Sequence, residues 1–126
     1  MRNVGLLLAL LLVAVPAVIA ADEPPSATAV ICTGVKDRAP EGAAEKFAAS
    51  AGRLTCFSEL HGVKEKIVHV WFHGDKEVAK IELPVKADHW RTWSAKSIPA
   101  AWTGAWRVEV RDSAGAVLAT ANFTVE

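Results

Sequence analysis

Four of the five tryptophans, Trp90, Trp93, Trp102 and Trp106, fall within seventeen residues of a chain that has no tyrosine. Indole rings so close together either fill a core or stand out as flat platforms for a sugar face or an apolar anchor. Four histidines raise a second possibility, because His69 and His73 lie four apart in "KIVHVWFH". On a helix that spacing would aim both imidazoles at one metal ion. The stretch reads as a strand, however, where four residues span ~13 Å. Zinc bonds of about 2.1 Å cannot bridge that distance, so no metal site and no cofactor are expected.

The other familiar chemistries lack their parts. The serines stand outside any nucleophile elbow, and Glu77 and Glu82 flank lysines as ordinary solvated charges. "TGAW" leads into a strand, whereas a phosphate-binding loop opens a helix. No catalytic residue is identified, and an enzyme is not expected.

These residues must be positioned by short strands. "TAVICTGV" (28–35) is β-branched and apolar and reads as the first. The polar stretch 36–52 is hemmed by Gly42 and Gly52, which favours a long loop pinned by Phe47 over a helix at 43–49. "RLTCFSEL" (53–60) is the second strand, with Leu54, Cys56 and Leu60 on one face. "KIVHVWFH", "GD" and "KEVAKIEL" together predict a hairpin from Lys66 to Leu83, ended by Pro84. "WRTWSAKSI" (90–98) supplies a fifth strand, "AWRVEVRD" (105–112) a sixth and "AVLATANFTVE" (116–126) the last. Seven short strands without a convincing long helix predict an all-β, antiparallel, immunoglobulin-like sandwich, with a small β-barrel as the alternative.

Residues 1–20 read as a signal peptide: Arg2, an apolar run broken by Pro16, and the small-residue exit Val18-Ile19-Ala20. Residues 21–27 form a linker, and 28–126 a single domain. The expected location is periplasmic or secreted, with no membrane insertion after the leader is cleaved. Without Arg2 the formal charge falls from zero to minus one, with both signs interspersed, so nucleic acid is not an expected partner. Two cysteines in an exported chain predict a disulfide, Cys32 to Cys56, closing a loop of about 25 residues and contributing ~3 kcal/mol.

Parity then sorts the indoles. Trp106 alternates with Val108 and Val110 and is core. Trp93 shares its face with Ala95, the most apolar neighbour available, and is placed inward, which turns Trp90 outward. Trp102 precedes the Thr103-Gly104 turn in a loop. Trp71 alternates with His69 and His73, and the loop around Phe47 is expected to cover it. The expected binding residues are Trp90 and Trp102 with Arg91 and Lys96 beside them, for a glycan, peptide or protein of the envelope. The competing expectation is an aromatic plug at one end of a sandwich.

With "ICTGVKDRAPEG", "LTCF", "IVHVWFHGDKEVAKIELPV", "WRTWSAK" and "WTGAWRVEVRDSAGAVL" in that order, the chain resembles the bacterial domain-of-unknown-function family 2914 over nearly all of 28–126. The resemblance implies an envelope-associated β domain with no established activity. The family pattern has an aromatic where His73 stands and no fixed histidine at His89, so neither is carried over as a site residue. Three functions follow in order: an exported non-catalytic binding or accessory module, a purely structural envelope protein, and a hydrolytic enzyme.

Overall fold

The computed structural model describes residues 23–126, so the expected leader and the first two linker residues lie outside the described residues. The described residues form ten strands: β1 (Ser26–Cys32), β2 (Gly34–Lys36), β3 (Ala39–Glu41), β4 (Lys46–Phe47), β5 (Arg53–His61), β6 (Lys66–His73), β7 (Lys76–Pro84), β8 (His89–Ser97), β9 (Gly104–Asp112) and β10 (Val117–Val125). Seven are long, and they form two facing sheets, ordered β1-β5-β8 and β4-β10-β9-β6-β7. The first, second and fifth long strands make one layer, and the others make the second. That is the immunoglobulin-like sandwich, and neither sheet closes into a barrel.

The expected hairpin is β6–β7, turning at Gly74-Asp75 with Gly74 at a φ of 59°, a conformation that favours glycine. The polar stretch 36–52 holds more structure than a loop. β2 and β3 form a small hairpin, β4 pairs in parallel with the end of β10, and a 3-10 turn covers Ala49–Ala51. Phe47 does pin this segment, edge-on to Phe123 at 6.1 Å between centroids. The first strand stops at Cys32, earlier than expected, because Val35 belongs to the small hairpin.

The core lies between the layers. At one end Ile31, Leu54, Cys56, Trp71, Trp106, Val108 and Phe123 pack together, and at the other Leu60, Val63, Ile67 and Val110. Trp71 is fully buried, edge-on to Phe123 at 6.3 Å, in the same core cluster as Phe47. The outward face of β6 is shielded as well. Arg107 lies over the Phe72 ring at 3.9 Å, and Glu109 bonds both Arg107 and Arg111.

A polar bridge crosses the apolar layer. His69 of β6 is fully buried, its Nε2 2.8 Å from Ser58 Oγ of β5 and its Nδ1 2.6 Å from Ser94 Oγ of β8. Trp71 Nε1 donates to the same Ser94 oxygen at 3.2 Å. One directed chain satisfies these atoms: the indole donates to Ser94, Ser94 donates to Nδ1, and Nε2–H donates to Ser58. Burial without a nearby acid lowers the His69 pKa to about 4, so the ring is neutral.

The expected disulfide is not formed; Cys32 and Cys56 are buried free thiols. Register supplies the reason. Cys56 faces Ile31 and Cys32 faces Thr55, so the two side chains leave opposite faces of the same sheet. Cys56 points into the core, where burial pushes its thiol up to about 12. Cys32 points outward beneath the β2–β3 segment, with Sγ 3.6 Å from the Thr55 carbonyl oxygen.

Candidate binding face

The outer face of the three-stranded sheet is the candidate site, and β-sheet register builds it in rows. Val30 of β1, Phe57 of β5 and Trp93 of β8 lie side by side. Trp93 is 39 % exposed and Val30 38 %, while Phe57 between them is covered. The Trp93 and Phe57 rings are stacked, 13° apart in plane with centroids at 5.9 Å. The next row toward the chain start of β8 is polar: Thr28, Glu59 and Arg91. Arg91 Nε lies 3.7 Å from Glu59 Oε1. The last row is Ser26, His61 and His89, all exposed.

Glu59 is the hub of the polar rows. His89 Nε2 sits 2.6 Å from its Oε1, and this hydrogen bond first, then Arg91 and the two imidazoles, hold the carboxyl below its ordinary range. The β2–β3 turn approaches the same region with Asp37 and Arg38 at φ of 51° and 59°. A hairpin turn of two left-handed residues ordinarily favours glycine at the second position. Arg38 holds it instead, and its guanidinium lies 5.9 Å from the Trp90 ring centroid.

The structure revises the expected patch. Trp90 pairs with Leu60 and turns inward, half-buried against the second core cluster, whereas Trp93 turns outward. The parity was inverted because the inward face of β8 is polar: Ser94 is buried there to bond His69 and Trp71. Trp102 is half-buried, stacked on His73 at 5.7 Å and near Trp106 at 6.1 Å, with Lys96 Nζ 5.8 Å from its ring centroid. Lys96 is six residues from Trp90 along β8, ~20 Å in a strand, so Trp90 and Trp102 sit at opposite ends. Of the four expected binding residues, only Arg91 stands on the exposed face beside an exposed indole.

The aromatic plug is present at the Trp102 end. Trp106 donates its Nε1–H to the Trp102 carbonyl at 2.9 Å, and His73 stacks on it at 4.7 Å. His73 Nε2 also lies 2.8 Å from the Thr103 carbonyl oxygen. Sequence reasoning missed Trp93, Phe57 and the His61–His89 pair. The sequence carries no local signal for the last, because β5 and β8 pair across the intervening β6–β7 hairpin and only their register brings His61 to His89.

Residues 64–125 match the model of the family described as "Protein of unknown function (DUF2914)". No curated protein matches the chain. Among solved structures it is similar to an engineered protein crystallised at 1.98 Å, with 15 % identity and a TM-score of 0.46, covering 83 % of this chain and 20 % of that one. The family match takes in β6 to β10 and leaves out β1 and β5, which supply Val30, Phe57, Glu59 and His61. The resemblance read along nearly the whole domain is thus shown for residues 64–125, which match that family of unknown function.

Proposed function

We propose that the protein is an exported, non-catalytic binding module of the bacterial envelope whose ligand is a glycan held on the outer face of the three-stranded sheet. The leader-like sequence of residues 1–20 supports export to the periplasm or beyond. One observation carries the ligand class. An exposed indole backed by a second ring lies directly beside a row of hydroxyl, carboxylate and guanidinium groups. A pyranose presents an apolar face and a rim of hydroxyls, and such a ring platform with adjoining donors and acceptors complements both.

The test is retention of the purified protein on peptidoglycan and envelope polysaccharides, repeated with Trp93→Ala and Arg91→Ala. Trp93→Ala is expected to weaken binding about 30-fold, the ~2 kcal/mol that a contact aromatic contributes. The fold should survive, since the ring is already 39 % open. Retention indifferent to Trp93, or no retention of any glycan, overturns the reading. Capture of an extended peptide or a protein through Trp93 would replace the glycan by that partner.

A second reading, a purely structural envelope protein, draws on the inward turn of Trp90 and Trp102, whose rings stabilise the two ends of the sandwich. It gains if Trp93 proves irrelevant to every ligand.

A further inference from the structure

The last row of the same face carries a different chemistry. His61 and His89 are directly paired across β5 and β8, and their rings are parallel within 10° at 4.4 Å between centroids. Glu59 projects from the same face two residues before His61. One donor atom from each of Glu59, His61 and His89 lies within 4.8 Å of the others. We propose that these three residues form a surface site for a divalent transition-metal cation of the zinc class, with two imidazoles and one carboxylate as ligands.

Backbone geometry favours the site. Paired residues on a sheet hold their Cβ atoms about 4.5–5.5 Å apart and point the same way. The ladder fixes both imidazole roots, so only side-chain torsions need adjust. A tetrahedral ion with bonds of 2.0–2.1 Å requires donors ~3.4 Å apart. Any donor pair must therefore shift by at most ~1.5 Å, with the Glu59–His89 pair opening from 2.6 Å, within reach of rotation about χ1 and χ2.

Donor type selects the metal. Two imidazoles suit zinc, copper or nickel, whereas magnesium and calcium prefer all-oxygen sets. Three protein ligands leave a coordination position open, in contrast to closed four-ligand structural sites. The Glu59 carboxyl is already ionised, held low chiefly by its bond with His89. Arg91 at 3.7 Å from Glu59 opposes a cation by like charge. The cation must displace the His89–Glu59 hydrogen bond, and that exchange together with Arg91 limits affinity.

Glu59 is shared with the glycan platform, but Trp93 supplies none of the donors, so the two readings can fail separately. The test is calorimetric titration with zinc chloride of the protein purified without a polyhistidine tag, followed by the visible absorption of added cobalt(II) as a report on coordination. One saturable site is expected. His61→Ala and His89→Ala should each weaken it at least about tenfold, since even partners outside the ligand set are worth 10–100-fold. Arg91→Gln should tighten it several-fold by removing the repelling charge. Trp93→Ala should leave it unchanged, which separates failure here from failure of the glycan platform. All four side chains lie on the outer face, and circular dichroism is the check that the variants remain folded. No saturable binding below about 1 mM, a threshold of weak affinity, overturns the site. So does binding that survives both histidine substitutions, which would place the ion elsewhere.

Discussion

Acidification should attack the bridge between the sheets before it reaches most of the surface charges. His69 is neutral in the folded chain, its pKa lowered by burial from 6.5 to about 4. The unfolded chain binds the proton at the ordinary value, so between these two pH values it holds more protons than the folded one. Stability is therefore complete above pH ~6.5 and is lost progressively as pH falls toward 4. A gap of about 2.5 units at 1.36 kcal/mol each gives a loss of about 3 kcal/mol, a large share of a small domain's stability. Urea unfolding followed by tryptophan fluorescence, at steps from pH 7.5 to 4, measures it. His69→Gln keeps an amide within reach of Ser58 and Ser94 but cannot titrate. The difference between the two proteins cancels the contribution of Glu59, Glu82 and Glu109, whose carboxyls are also held low. Wild type should lose about 3 kcal/mol more than the variant over that range. Equal losses refute the reasoning, and so does an imidazole NMR titration of His69 in wild type centred near 6.5, a measurement that needs no variant.

Two further outcomes follow from packing and register. Trp106→Ala should destabilise by ~3–5 kcal/mol, because the ring is 2 % exposed and stacks on His73 and Phe123; a loss below about 1 kcal/mol in denaturant unfolding would contradict its place in the core. Thiol counting should find two free cysteines after denaturation and almost no reaction before it, even in protein recovered from an oxidising compartment, and an intramolecular disulfide by mass spectrometry would contradict the register of β1 on β5.

The hairpin and the last two strands were legible because each carries its own instruction. "GD" between two alternating runs sets β6 and β7, and "WRVEV" names its buried face without reference to anything distant. β8 carries no such instruction. "WRTWSAKS" offers two faces of nearly equal polarity, and the inward one is chosen by partners on other strands: Ser94 bonds a histidine in the opposite sheet, and Trp90 packs on Leu60. The cysteines failed for a related reason. Each strand was identified, but a shift of one residue between β1 and β5 decides whether two thiols meet, and that register depends on the whole sheet. The binding face was hidden in the same way, since Val30, Phe57 and Trp93 become neighbours only when three separated strands align. Arg91 was found because it adjoins an indole in either parity.

The small parallel pairing of β4 with β10 has a kinetic consequence. Lys46 meets Thr124 and Phe47 meets Val125, and the clamp continues where the Ala49 amide donates to the Glu126 carbonyl and the Glu126 amide to that of Phe47. These contacts close the chain from β4 to β10 into one ring, whereas β6–β7 and β9–β10 close only short turns. Loop-closure entropy rises with the length enclosed, and long-range pairings are formed after local ones have reduced the search. The two hairpins are therefore expected early in folding, and the Phe47 clamp on β10 late, with the packing of β1 against β10. Substitutions there should speed unfolding while leaving the rate of folding almost untouched.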